Sequence, residues 1–475
     1  MSPIAVTTAD PVARAAADLG GRRVAVVGGG RTGASVVRFL RRAGASVVIT
    51  DDRRDPPAAA ELGGAGLEWA LGGLDGAALM AADLVVVSPG VDPQVLALEQ
   101  ARDAGIPVVG DVELFGRYAG APVVVVTGSN GKSTVTRLTG AIFEAAGWDA
   151  GVGGNLGTPA LDLLTDPEPG VYVLEVSSFQ AELLTDFRPR VAVLLNLSPD
   201  HLDRYTTPEA YFDAKMRLFA AMGAGDTAIL AADDPAVMAR ARALPRDVDR
   251  RWFTAGVPEG ETVGAGVAPM AGAPWLALNR RDGLEGVLPL GDWPLLGAPN
   301  RANAAAALVA ADTMGVGAEG MAQALQGFRG LAHRMEPVAE VAGVTYVNDS
   351  KGTNIGAVAA ALAGLEGPFI WIGGGRAKGG DFAALGPILA EGCREAVLIG
   401  EAAGSMAAAV AAVVPSHDAG TLGAAVRRAA AVARPGDTVV LSPGCASFDQ
   451  YPGFEARGED FRHAVAELEA DRAAL

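Results

Sequence analysis

Five β-favouring residues, Val123-Val-Val-Val-Thr127, run directly into Gly128-Ser129-Asn130-Gly131-Lys132-Ser133-Thr134, and a helical stretch follows that ends at Gly147. A buried strand, a glycine loop and a helix in that order form a phosphate-binding unit. The glycines let backbone N–H groups approach a triphosphate, and the helix N-terminus adds a favourable dipole. Lys132 is placed for the terminal phosphates, and a hydroxyl of Ser133 or Thr134 for Mg²⁺. The loop lacks the first glycine of the usual spacing. An ordinary glycine-rich turn is the alternative, and the strand before and the helix after weigh against it. The unit commits at least the middle of the chain to a parallel α/β sheet covered on both faces.

Two further α/β units flank it. The first opens with Val24 to Val27 running into Gly28-Gly-Gly30-Arg-Thr-Gly33; strands 45–50 and 84–87 follow, ending at Asp51-Asp52-Arg53 and Ser88-Pro89-Gly90. In the middle unit, strands 171–175 and 191–196 carry polar residues at their ends, and the helix after Asn300 closes the unit. Residues 245–297 are rich in Gly and Pro and suggest a small, less regular β insertion. The last unit has strands 344–348, 369–372, 396–399 and 438–441. The spacing predicts three domains, 1–120, 121–330 and 331–475: a dinucleotide-binding type of fold, a central phosphate-loop domain and a third α/β domain.

Composition narrows the partners. The formal net charge of -17 over 475 residues disfavours nucleic acid. No apolar run approaches membrane-spanning length, residues 1–11 lack a signal-peptide pattern, and two cysteines make neither a disulfide framework nor a zinc site. A cytoplasmic protein acting on small molecules, without membrane insertion and monomeric, is expected. Only four of the 38 basic residues are lysines: Lys132, Lys215, Lys351 and Lys378. Where arginine serves as the general cation, a retained lysine points to a need for a primary amine.

Polar residues gather at strand ends, where open α/β sheets bind ligands. Glu175 ends a strand, as metal-binding acids of nucleotide hydrolases do, and Asp200-His201 follows the next one. Lys215 has two readings. One is a helical surface residue paired with Asp213 or Glu209, which spacing alone favours; the other is a lysine carbamylated by CO₂, an anion able to bind Mg²⁺. Gly28-x-Gly30-x-x-Gly33, with Asp51 and Asp52 about 20 residues on, suits a nucleotide diphosphate. Three loops of the last unit, Asn348 to Asn354, Gly373 to Asp381 and Ser442 to Gln450, suggest a crevice for a small charged molecule, and Asp349 suits an ATP ribose. Arg334, at the junction of the second and third units, suits either a phosphate contact or a linker salt bridge. His417 and His463 belong to no motif and are expected at the surface.

Taken together these motifs resemble the Mur ligase family over about Val24 to Glu459. The resemblance is carried by Gly128 to Thr134, Gly151-Val-Gly-Gly-Asn155-Leu-Gly, Leu174-Glu-Val-Ser-Ser-Phe-Gln180, Asp200-His201-Leu-Asp-Arg204-Tyr205, Gly330-Leu-Ala-His333-Arg334, Asn348-Asp-Ser-Lys351 and Ser442-Pro-Gly-Cys-Ala-Ser447. It implies an ATP- and Mg²⁺-dependent ligase adding D-glutamate to UDP-N-acetylmuramoyl-L-alanine in peptidoglycan precursor synthesis. It further implies that Gly128, Ser129, Asn130, Gly131, Lys132, Ser133, Thr134, Asn300, Asn303, Arg334, Asp349 and Lys351 bind ATP. Thr32, Asp51, Asp52, Arg53, Gly90, Asn155 and His201 would bind the UDP substrate, and Thr353, Lys378, Ser447, Phe448 and Phe454 would bind D-glutamate. Ser133, Thr134, Glu175, His201 and carbamylated Lys215 would hold Mg²⁺, with Lys132, His201, Lys215 and Glu175 taking catalytic roles. Phe448 and Arg31 depart from the family pattern, where leucine and an apolar residue are expected. Rival readings are a sister or folylpolyglutamate-type ligase, an NAD-dependent dehydrogenase resting on the first glycine turn, and a nucleotide sensor without turnover.

Overall fold

The computed structural model describes residues 10–63, 66–202, 204–258, 263–280, 282–295, 297–365 and 367–473. The first sheet has strands β1 (Arg23–Val27), β2 (Ser46–Asp51), β3 (Glu68–Leu71), β4 (Leu84–Val87) and β5 (Val108–Gly110). They pair in parallel in the order β3-β2-β1-β4-β5. The order reverses between β1 and β4, so the turn after β1 and the turn after β4 open a crevice between them.

The central sheet contains β6 (Val123–Thr127), β7 (Ala150–Gly154), β8 (Val171–Glu175), β9 (Val191–Leu194), β10 (Thr227–Ala231), β11 (Asp249–Phe253), β12 (Val263–Met270), β13 (Ala273–Arg280) and β14 (Gly283–Pro289). Its order is β14-β13-β12-β11-β10-β9-β6-β8-β7. The Gly- and Pro-rich region expected to be a small, less regular β insertion is β and extends this sheet: β12, β13 and β14 form an antiparallel meander, and β12 pairs with β11. The third sheet runs β15-β16-β20-β17-β18-β19, from β15 (Glu336–Val341), β16 (Val344–Asn348), β17 (Phe369–Gly374), β18 (Cys393–Ile399), β19 (Ser416–Gly420) and β20 (Thr438–Leu441). Only β15 is antiparallel to its neighbour.

The three domains meet in two different ways. The first and central domains share one apolar core, in which Phe115 packs edge-on against Tyr172 with ring centroids 5.0 Å apart. The buried apolar clusters of the third domain lie on the two faces of its own sheet. This domain meets the central domain where Gly364 lies close against Gly297 and through polar atoms, among them Asn354 Nδ2, which donates to Asp200 Oδ2 at 2.9 Å. Polar interfaces cost little to open because water replaces their hydrogen bonds. No helix among the described residues is long and apolar enough to cross a membrane.

Candidate active site

The phosphate loop joins β6 to the helix Lys132–Ala145, which starts two residues before the sequence pattern suggests. Gly131 is the reason. It adopts φ 85° at the N-cap, and a Cβ there would come within 2.4 Å of Asn303 Oδ1. Asn196, beyond β9, clamps the loop from outside: its Oδ1 accepts from Asn130 N at 2.8 Å and its Nδ2 donates to Asn130 O at 2.9 Å. Ser129 turns away from the loop mouth, its hydroxyl donating to Ser198 O at 2.9 Å. Lys132 Nζ donates to Gly128 O at 2.8 Å and Ser129 O at 2.9 Å. Burial lowers the pKa of this ammonium, and nearby Glu175 opposes the shift.

Of the residues expected to bind ATP, Asn130, Gly131, Thr134, Asn300, Asn303, Arg334, Asp349 and Lys351 line one cleft of about 640 Å³ between the central and third domains. Arg334 Nη2 donates to Ser133 Oγ at 2.6 Å, so the junction arginine reaches the phosphate loop rather than closing a linker salt bridge. Its neighbours His333 and Met335 have φ of 63° and 45°. Positive φ costs a residue with a side chain, and such strain is retained where packing enforces it. Asp349 is buried; Ser442 Oγ donates to it at 2.7 Å, and burial raises its pKa to about 7. Lys351 Nζ lies 3.8 Å over the ring of Phe454, and burial lowers its pKa to about 8.

A second cleft, about 1420 Å³, opens between the first and central domains. Thr32, Asp51, Asp52, Arg53, Gly90 and Asn155 all line it; His201 is not among its lining residues. The turn Gly28–Gly33 packs so closely that a Cβ on Gly33 would meet Gly28 O at 1.9 Å. Asp51 caps the turn by accepting from Gly29 N at 2.6 Å, and it binds Arg53 through both oxygens at 2.8 and 2.7 Å. Those bonds hold its carboxyl well below the usual range.

Between the clefts stands Glu175. Its Oε2 accepts from Ser133 Oγ at 2.5 Å and its Oε1 from Asn155 Nδ2 at 2.7 Å. Lys215 is 1 % exposed, which corrects the surface reading; Asp213 pairs instead with Arg240. Burial first, then Lys132, drives the Lys215 pKa well below its ordinary value, although Asp200 and Glu175 oppose the shift. Its Nζ lies 4.5 Å from the centre of the Tyr211 ring. His201 has φ 55° and packs edge-on against Phe179; its Nε2 is 3.8 Å from Asp200 Oδ2. Burial lowers its pKa and favours the neutral ring.

Ser133 Oγ and the Glu175 carboxylate, which meet at 2.5 Å, offer the oxygen donors that a hard cation such as Mg²⁺ prefers. Among the described residues no three His, Cys, Asp or Glu side chains gather closely enough to hold a metal by themselves.

The residues expected to bind D-glutamate are spread out. Lys378 Nζ donates to Thr353 Oγ1 at 3.1 Å and lies 4.0 Å from Asp200, while Ser447 is buried. Phe454 lies beside Lys351 and His333, and Phe448 is 64 % exposed. His417 and His463 are exposed, as their lack of a motif suggested. Two contributors were given no individual role by the sequence, although Asn354 ends one of the three polar loops. Asn354 caps the helix Ile355–Ala363 while bonding Asp200. Arg457 is 1 % exposed; it bonds Ser350 Oγ at 3.1 Å, Ser350 O at 2.9 Å and Cys445 O at 3.1 Å, joining the loops after β16 and β20.

Three family models match the chain: "Mur ligase MurD-like, N-terminal domain" at residues 22–110, "Mur ligase middle domain" at 126–264 and "Mur ligase, glutamate ligase domain" at 333–445. A relative from Nitrosococcus oceani named UDP-N-acetylmuramoylalanine--D-glutamate ligase is 44 % identical over 93 % of this chain and 96 % of its own. One of the same name from Pseudomonas aeruginosa is 43 % identical over 93 % and 97 %. Solved structures share the fold at lower identity. MurF from Acinetobacter baumannii is similar at a TM-score of 0.61 and 19 % identity, covering 97 % of this chain and 100 % of that one. A pseudomurein peptide ligase type C from Methanothermus fervidus is similar at 0.60 and 19 %, covering 94 % and 100 %. With matches in all three domains and over 40 % identity along nearly its whole length, this chain belongs to the Mur ligase family.

Proposed function

We propose that the chain is an ATP-dependent ligase that joins D-glutamate to UDP-N-acetylmuramoyl-L-alanine through an acyl phosphate, in peptidoglycan precursor synthesis in the cytoplasm. The observation that carries the reading is the sharing of Glu175 between Ser133 of the phosphate loop and Asn155 of the second cleft. That sharing lets a carboxylate held at Asn155 approach the terminal phosphate of ATP.

An alanyl carboxylate forms no amide until one of its oxygens becomes a leaving group. Attack on the γ-phosphorus forms a C–O–P linkage and releases ADP. The amine of D-glutamate then adds to the acyl carbon, loses a proton and expels phosphate. Lys132 and Arg334 offer positive charge to the transferring phosphoryl group. Ser133, Glu175, His201 and a carbamylated Lys215 would hold Mg²⁺, which when bound neutralises phosphate charge. Thr353 and Lys378 suit a carboxylate of the incoming amino acid. Closure of the polar interface between the central and third domains would keep water from the acyl phosphate.

The dehydrogenase reading leaves the phosphate loop and the buried Lys215 without a role, and a sensor without turnover leaves Glu175 and Arg334 without one. Phosphate release with UDP-N-acetylmuramoyl-L-alanine and either D- or L-glutamate tests the proposal. Release only with D-glutamate supports it; release driven better by another amino acid would make the chain a sister ligase.

A further inference from the structure

We infer that Arg31, which meets Gly157 beside Arg137, is the cation that grips the diphosphate of the nucleotide-linked substrate. The inference rests on the UDP reading of the second cleft. The charged residues lining that cleft are Arg31, Asp51, Asp52, Arg53 and Asp92. Arg53 is committed to Asp51 through two hydrogen bonds, so its charge is already balanced. Asp52 and Asp92 are exposed carboxylates that add negative charge. Without Arg31 the cleft is an acidic crevice in an acidic chain, a poor receptor for two phosphates.

Among the described residues Arg31 has no carboxylate partner. It begins the helix Arg31–Arg42 directly after Gly30, and its guanidinium crosses from the first domain to donate to Gly157 O of the central domain. Arg137 approaches the same glycine from the phosphate-loop helix: its Nη2 lies 3.0 Å from where a Cβ on Gly157 would stand. Arg137 too lacks a carboxylate partner among the described residues. Two guanidinium groups beside one glycine, only one of them bonded to its neutral carbonyl, repel each other, and an anion between them removes that repulsion. A carbonyl is a weaker partner for a guanidinium than phosphate, which accepts planar, bidentate, charge-assisted bonds. On substrate binding Arg31 exchanges Gly157 O for a phosphate, so an interdomain contact becomes a substrate contact.

Direct titration of the full-length parent, Arg31→Gln, Arg31→Lys and Arg137→Gln with UDP-N-acetylmuramoyl-L-alanine, UDP and UMP, at low and high salt, tests this. Arg31→Gln should weaken UDP and the UDP-linked substrate about tenfold, the loss of one charge-assisted bond at an exposed site. UMP should lose less, and the salt dependence of UDP binding should flatten. Arg31→Lys should recover part of the loss, and Arg137→Gln should lose a smaller amount in the same order of ligands. Equal losses for UDP and UMP would mean that Arg31 only props the Gly157 segment, and no loss would mean it plays no part; either overturns the inference. A parent chain that binds none of the three ligands overturns the UDP reading itself.

Discussion

Arg334, in the segment joining the central and third domains, donates a hydrogen bond at 2.6 Å to Ser133 Oγ, on the phosphate loop 201 residues earlier in the chain. The arginine is half-buried, and desolvation, its largest perturbation, is opposed by Glu175 and Asp349. A desolvated arginine at a phosphate loop is arranged for charge that develops during phosphoryl transfer. Arg334→Ala is expected to lower turnover on the order of 10³-fold. Phosphate release at saturating substrates measures this, with circular dichroism to verify folding; turnover within about tenfold of the parent would reduce Arg334 to an interdomain tether.

Lys215 is buried beside a second lysine, and its amine is driven toward the neutral form. The neutral amine is the form that adds CO₂, and the carbamate so formed replaces a positive charge with an anion bearing two oxygen donors. Lys215→Ala should lose most activity and regain part of it with formate or acetate. Lys215→Arg should stay inactive. A carbamate carbon signal after exposure to labelled CO₂ gives an independent reading, and a fully active Lys215→Arg would rule the modification out as a requirement.

Arg53 neutralises Asp51, which is 2 % exposed and also caps the glycine turn through Gly29 N. Arg53→Ala leaves that carboxylate without its cation and loosens the turn. The KM for the UDP-linked substrate should rise about tenfold, while the KM for ATP, bound in the other cleft, changes little. Steady-state kinetics with each substrate varied separately checks the split; equal effects on both would place Arg53 outside the UDP site.

Asp349 makes stability depend on pH in a stated direction. Its folded-state pKa of about 7 stands above the ordinary 3.8, because burial outweighs the hydrogen bond from Ser442. Between those values the folded chain keeps a proton that the unfolded chain has lost. The contribution is therefore fully present below the lower value and is lost as pH rises through the upper one. Asp349→Asn removes this dependence, so relative to the parent it should gain on the order of 2 kcal/mol between about pH 5 and about pH 8. Denaturant unfolding at the two pH values measures it; a constant difference would show that the carboxyl is ionised throughout. The same variant should bind ATP more weakly.

The sequence by itself determined the elements whose physics is local. Val123 to Ser133 is legible as strand, loop and helix because glycine permissiveness and the helix terminus act over a few residues. The three polar loops after β16, β17 and β20 were legible at neighbouring strand ends for the same reason, and the sheet order does place those strands side by side. Tertiary structure alone decided the rest. Lys215 reads as a surface lysine from its helical spacing, and only the folded chain buries it and brings the charge of Lys132 near enough to add to the shift of its amine. Arg457 sits in a plain helical stretch, yet the fold places it where the loops after β16 and β20 present carbonyls. Residues 245–297 showed glycine and proline but not the edge of β11 that recruits them into the central sheet. Burial and pairing depend on contacts between residues tens to hundreds of positions apart. Local pattern carries no information about them until the chain is folded.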